Sequence, residues 1–168
     1  MLTRARKATA MDSESVTAIV RPVLARTVFC FHEQDALVVE DRLDSIRVAY
    51  ASACSSGGPQ DSTRIECQLC FDTGQMWIGT LHVSVGFRSK GLGRQLVTAV
   101  ERIASAIGLR MVSGFPLQSS QRFWERMGYR THPTMARVVT KDLAKDGPPK
   151  EGHSSPLGSM TGAPTPTT

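Results

Sequence analysis

Arg88, Lys90 and Arg94 crowd around Gly91-Leu92-Gly93 in the stretch GFRSKGLGRQL. Glycine lets a ligand approach the backbone because no Cβ intervenes. The first turn of a helix offers unpaired N–H groups and a partial positive charge. Three cations and two glycines at the start of a helical pattern are therefore suited to hold a diphosphate. Two nucleotide loops do not fit the spacing. A Gly-x-Gly-x-x-Gly loop needs glycine where Leu96 stands, and a P-loop needs Lys-Ser or Lys-Thr where Arg94-Gln95 stand. The alternative for this stretch is a solvated turn with a basic rim.

The elements around the turn are legible in the second half of the chain. Ile65, Cys67, Leu69 and Phe71 alternate with Glu66, Gln68 and Cys70, which predicts a strand over residues 65–71. Asp72-Thr73-Gly74-Gln75 predicts a turn, and residues 76–85 the return strand of a hairpin. Leu96, Val97, Val100, Ile103, Ala104 and Ile107 form one helical stripe over 95–107, with Gly108 placed for a left-handed cap. Residues 109–115 read as a buried strand. Ser119 or Ser120 can cap a short helix through Met127, closed by Gly128. Residues 129–131 and 135–142 read as closing strands.

The first half predicts differently. Residues 16–20 and 23–31 are rich in β-branched side chains and read as strands, interrupted by Pro22. Val39, Leu43, Ile46 and Tyr50 recur at spacings of four, three and four, which predicts a helix within 34–54. Residues 55–63, SSGGPQDST, read as a loop. The expected organisation is a flexible N-terminus over 1–13, one mixed α/β domain over 14–142, and a disordered tail over 143–168 rich in Pro, Gly, Ser and Thr.

Charge and composition narrow the function. The net charge is +5, but apart from the cluster at Gly91 the cations are scattered. A nucleic-acid surface gathers them on one face, so a small polyanion is the better partner and no nucleic acid is expected. No apolar run reaches the ~18 residues of a membrane span, and MLTRARKATAMDSES lacks the apolar core of a secretory signal. A cytoplasmic protein without membrane partners is expected. Cys30, Cys54, Cys67 and Cys70 include one CxxC, but there is no second ligand pair. Free thiols and no metal site follow.

The run LHVSVGFRSKGLGRQLVTAVERIASAIGLRMV, followed by FWERMGYR and MARVVTKDL, resembles the GCN5-related N-acetyltransferases over residues 65–142. Arg88-Ser89-Lys90-Gly91-Leu92-Gly93 fits that family's Arg/Gln-x-x-Gly-x-Gly/Ala signature. The resemblance implies the GNAT fold, a mixed central sheet with two splayed parallel strands flanked by helices. The splayed strands would be 76–85 and 109–115. It implies acetyl-coenzyme A in the wedge, with the backbone of Leu81, His82 and Val83 along the pantetheine arm. Ser89, Lys90, Gly91, Leu92, Gly93 and Arg94 would lie at the diphosphate with Arg88, and Ser119 and Phe123 close by. The Val83 N–H would polarise the thioester carbonyl. It further implies an acyltransferase acting on a small-molecule or peptide amine, with a homodimer as one possible assembly.

The sequence departs from that family where proton chemistry is expected. The strand positions that often hold a base are Trp77 and Gly79, and the usual tyrosine acid is Trp124. If Phe71 pairs with Met76, Cys70 faces Trp77, Gln68 faces Gly79 and Glu66 faces Leu81. Glu66 then shares the acceptor face and is the candidate base, or else a solvated edge carboxylate. His82 alternates away from that face. Ser120 is a candidate proton donor to the thiolate, and Tyr129 reads as a packed aromatic. The expected reaction is direct attack of the amine on the thioester, without a cysteine carrier. The alternative is a catalytically degenerate member that binds coenzyme A as a structural or regulatory ligand.

Overall fold

The computed structural model describes residues 11–52 and 62–146. The expectations for the N-terminal ten residues, for most of the 55–63 loop, for Cys54 and for the tail beyond 146 lie outside the described residues. The elements are α1 (Ser13–Thr27), β1 (Ala36–Asp41), β2 (Ile46–Ala51), β3 (Arg64–Cys70), β4 (Gln75–His82), α2 (Leu92–Ile107), β5 (Met111–Gly114), α3 (Gln121–Arg126), β6 (Arg130–Thr131), β7 (Val139–Asp142) and α4 (Leu143–Asp146). They build one seven-stranded sheet in the order β1-β2-β3-β4-β5-β7-β6. Only β4 and β5 are parallel.

The first half corrects two expectations. Residues 16–20 and 23–27 are helical, not strands. Asp12 caps α1 by accepting the Ser15 N–H at 2.8 Å, and Val16, Val20 and Leu24 are buried one turn apart. Each such side chain contributes about 1.5–3 kcal/mol on burial. Together they offset the ~3 kcal/mol that Pro22 costs inside a helix. Residues 36–51 form a hairpin, not a helix. Ile46, Val48 and Tyr50 are buried while Arg47, Ala49 and Ala51 are half-buried, a period of two. Leu43, which completed the apparent helical spacing, stands fully exposed at the hairpin tip. There the Arg42 N–H donates to the Ser45 carbonyl.

The second half follows the sequence in the order of its elements, although β4 ends at His82 and not at Val85, and the last closing strand begins at Val139 and not at Met135. The stripe of α2 is buried at Leu92, Leu96, Val97, Val100, Ile103 and Ala104, and Gly108 caps it in the left-handed region at φ 86°. The inward face of the sheet, with Ile65, Cys67, Leu69, Met76, Ile78 and Val112, joins α1 and α2 in one core. Phe115 lies past β5 and is exposed, not part of a buried strand. Leu143 begins the short helix α4 and is buried, so ordered chain continues past the expected start of the tail.

The hairpin register differs from the expected one. Leu69 pairs with Met76, Gln68 with Trp77 and Cys67 with Ile78, a shift of two residues. A two-residue shift keeps every side chain on its face. Past that point β4 carries one extra residue, Gly79, so Glu66 lies opposite Thr80 and Ile65 opposite Leu81. A Cβ on Gly79 would sit 3.8 Å from the Glu66 carbonyl oxygen.

Candidate functional site

The parallel pair β4–β5 runs only from Gln75↔Met111 to Ile78↔Gly114, although β4 continues to His82. No β5 residue pairs with β4 beyond Ile78. The divergence begins at Gly114, where an added Cβ would lie 3.5 Å from the Ile78 carbonyl oxygen and 3.8 Å from Cη2 of Trp124. Trp124 is buried and meets Phe123 and Tyr129 edge-on, with centroids 5.3 and 5.0 Å apart. It packs against the mouth of the wedge. It is buried behind Gly114, lines neither cavity described below, and its indole carries no acidic proton, so it packs and does not supply a proton.

A cavity of about 510 Å³ opens between the end of β4, the glycine turn, the start of α2 and α3. It brings together Leu81, Val83, Arg88, Ser89, Gly91, Leu92, Gly93, Arg94 and Phe123 from the sequence-predicted set. Phe87, Arg126 and Met127 also line it and were missed. Arg126 and Met127 follow Phe123 at three and four residues, a helical spacing that could have flagged them. Gly91 adopts φ 82° and Ser89 φ 63°. The left-handed region costs a non-glycine residue about 1–2 kcal/mol, so Ser89 holds local strain of the kind that concentrates at binding sites.

The turn is anchored firmly at its start. The buried Ser84 N–H donates to Thr63 Oγ1 at 3.0 Å, and Arg88 Nε donates to the Val83 carbonyl at 3.2 Å. The first backbone bond into α2 runs from the Gln95 N–H to the Gly91 carbonyl. Helix geometry thus places the Leu92, Gly93 and Arg94 N–H groups ahead of that bond. A Cβ on Gly93 would lie 3.5 Å from Val83 Cγ2 and 3.7 Å from Phe123 Cε2, so this glycine sets how closely α2 approaches β4 and α3.

Besides Glu66, four predicted residues stand outside this lining. Lys90 is exposed, its ammonium 5.5 Å from the centre of the Phe87 ring. His82 ends β4 opposite Arg64, so the extra residue at Gly79 turns it to the outward face that Arg64 shares with Glu66, not away from that face as the plain alternation predicted. Ser120 Oγ donates to the Leu117 carbonyl at 2.8 Å, and Ser119 is exposed in the same turn. The two serines shape the approach to α3 and line neither of the cavities described here.

A second cavity, about 420 Å³, lies on the outward face of the sheet. Glu66, Gln68, Cys70, Trp77 and Gly79 line it, as the alternation predicted, together with Arg42, Arg47 and Phe115, which it did not. Arg47 crosses the sheet diagonally. Its Nε donates to Glu66 Oε1 at 2.6 Å and its Nη1 to Glu40 Oε2 at 3.1 Å. The Arg47 hydrogen bond holds the Glu66 carboxyl below its usual range, more strongly than partial burial raises it. Glu66 is therefore a fixed negative charge and a weak proton acceptor. Burial pushes the Cys67 thiol up to about 12 and also raises Cys70. Neither is a ready nucleophile.

Among the described residues no group of His, Cys, Asp and Glu side chains is placed to hold a metal ion, and no helix is long and apolar enough to cross a membrane.

Comparison with curated proteins gives no match. Among solved structures the chain is similar to Tetrahymena GCN5, at 7% identity over 83% of this chain and 92% of that one, with a TM-score of 0.49. It is similar to a GNAT-family acetyltransferase of Staphylococcus aureus Mu50, at 14% identity over 58% and 68%, TM-score 0.48. It is also similar to the PaiA N-acetyltransferase of Thermoplasma acidophilum in complex with coenzyme A, at 13% identity over 57% and 60%, TM-score 0.47. The sequence model described as the acetyltransferase (GNAT) family matches residues 21–129, more than half of the chain, from the proline-bearing part of α1 through the glycine turn to Tyr129. The chain belongs to the GNAT family of acetyltransferases.

Proposed function

We propose that the protein transfers an acetyl group from acetyl-coenzyme A to an amine by direct attack on the thioester. The observation that carries this is the cavity at the parted strands, where a strand edge, a helix N-terminus and basic side chains converge. Coenzyme A has matching parts. Its pantetheine amides can pair with the backbone of Leu81 and Val83 as an added strand. Its diphosphate suits the N–H groups from Ser89 to Arg94, with Arg88, Arg94 and Arg126 on the same wall and Lys90 at the rim. When bound, acetyl-coenzyme A supplies the activated acyl group and a thiolate leaving group.

The chain's residues supply position and polarity. The Val83 N–H, just past β4, is the donor for the carbonyl oxygen. One such donor aimed at a developing oxyanion is worth about 10²–10³ in rate. The acceptor reaches the thioester from the side of Trp77 and Gly79. An amine of pKa ≈ 10.4 is about one part in two thousand neutral at pH 7, so it must shed a proton before attack. Glu66, kept ionised by Arg47, draws the ammonium in but as a weak acceptor does not itself take the proton, which passes to water. A thiol pKa near 8.5 lets the thiolate leave without an acid from the protein.

Calorimetric titration with coenzyme A tests the binding half. The expected result is one saturable site. Thioester consumption with a panel of amines tests the chemistry. Trp124 in the tyrosine position and Arg47 on Glu66 favour a second reading, a binder of coenzyme A without turnover. Saturable binding with no amine-dependent thioester loss would select it. No binding at all would refute both.

A further inference from the structure

The outward cavity carries a recognition surface of its own. Trp77 and Phe115 stack with centroids 5.4 Å apart and planes 19° apart. This pair is not core filling, because Phe115 is 62% exposed and Trp77 half-buried. It presents aromatic surface to the cavity mouth. The facing wall is charged but internally satisfied. Glu66 and Glu40 are both taken by Arg47, and Arg42 lies 3.5 Å from Glu40. Arg64 adds a third guanidinium to the field at Glu66. The remaining acidic groups, Asp44 and Asp72, act at the Cys70 end, where both are exposed and screened by solvent. A second ammonium on the acceptor would meet no uncommitted buried carboxylate.

We infer that the acceptor is a monoamine carried on a flat aromatic body, which extends the Trp77–Phe115 stack while its amine points along β4 toward Gly79. The inference rests on the acetyl-transfer reading above and names its substrate class. Aromatic rings gain from stacking beyond the burial of their area, whereas a puckered saturated ring of similar size gains the area alone. A polyamine gains neither.

The test compares 2-phenylethylamine, 2-cyclohexylethylamine and spermidine as acceptors. The aryl amine is expected to exceed its saturated analogue in kcat/KM by about two- to tenfold, and spermidine to be the poorest. That aryl preference is expected to collapse in Trp77→Leu and in Phe115→Leu. An equal or reversed aryl preference, or spermidine as the best acceptor, overturns the inference. A binding readout separates this from failure of the enzyme reading. The chain has two tryptophans, and 2-phenylethylamine should quench Trp77 emission saturably, with no quench in Trp77→Phe. If coenzyme A binds and turns over but the aryl amine gives no saturable quench, the acceptor class is wrong and acetyl transfer stands. If coenzyme A fails to bind while the quench is seen, the cavity's ligand class is supported and the acetyl-transfer reading falls.

Discussion

Replacing Lys141 with methionine tests the clamp that ties the end of the fold to α2. Glu101 sits in α2 with its side chain 1% exposed. Lys141 Nζ donates to both of its oxygens, at 3.0 and 2.9 Å, and to the Met127 carbonyl at 3.0 Å. The same ammonium lies 5.8 Å from the centre of the Tyr129 ring. Lys141→Met leaves the carboxylate buried without its counter-charge, which costs about 3–5 kcal/mol. Glu101→Gln costs less. Its amide oxygen still accepts, and the Lys141 side chain, 13% exposed, keeps Met127 and can reach water. The double variant Glu101→Leu with Lys141→Met removes both charges. Such replacements are often neutral or stabilising, so it should lie within about 1 kcal/mol of wild type or above it. Urea unfolding at pH 7 measures the order through midpoints at constant slope. In thermal melts 3–5 kcal/mol corresponds to a drop of about 6–20 °C. The reasoning fails if Lys141→Met stays within about 1 kcal/mol of wild type. It fails equally if the double variant is no more stable than Lys141→Met alone. Met127 lines the proposed cofactor cavity, so Lys141→Met should also weaken coenzyme A binding.

Arg88→Ala and Arg94→Ala should each weaken coenzyme A several-fold at low salt, and calorimetry should show the gap narrowing as the Debye length falls toward ~3 Å at 1 M salt. An unchanged affinity would count against the diphosphate assignment. Glu66→Gln should raise the acceptor KM and leave kcat within about tenfold, whereas a fall of 10² or more would restore Glu66 as a base. Since Arg47 depresses Glu66, any acidic limb that Glu66 contributes to kcat/KM should move to higher pH in Arg47→Ala. Tyr50 and Tyr129 are both held above the ordinary tyrosine range, chiefly by burial. The folded chain thus keeps protons that the unfolded chain releases, so stability is fully present below about pH 10 and falls as pH rises beyond it. Urea midpoints from pH 8 to 11 should show that fall, and Tyr129→Phe should make it shallower.

The sequence exposed the elements whose signals are local. The stripe of α2, the glycine at its end and the turn at Gly74 need only their own neighbours, and each stands where its residues indicated. The first half hid its structure because its signals conflict. Val16, Ile19, Val20 and Val23 favour strands by propensity and Pro22 opposes a helix, yet burial of Val16, Val20 and Leu24 in the core shared with α2 outweighs both. In residues 39–50 the helical and strand periods coincide at several positions. The exposed Leu43 shows that the four-three-four spacing was chance. The cavity at the parted strands was mostly visible because the glycine turn and the residues beside it in sequence supply much of its lining. The outward cavity was half visible. Arg42, Arg47 and Phe115 enter it from a hairpin tip, a neighbouring strand and the chain beyond β5, and no local spacing reports such meetings.

Register parity explains why Glu66 reached the expected face although its expected partner was wrong. The true pairing of β3 with β4 is displaced by two residues, and even displacements preserve faces. The extra residue at Gly79 does the opposite. In a regular strand Trp77 and Leu81 are four apart and would share a face. With Gly79 inserted, Trp77 stays opposite Gln68 on the outward face, while Leu81 moves opposite Ile65 on the inward one. One strand therefore lines both cavities, with Trp77 in one, and Leu81 and Val83 in the other beside Gly93 and Phe123. Glycine suits the crossing point because its missing side chain leaves the backbone open from the acceptor side. In the proposed reaction an amine seated on Trp77 and a thioester held along Leu81 and Val83 would meet there, so the proposed acceptor class and the proposed cofactor site both depend on a single bulge.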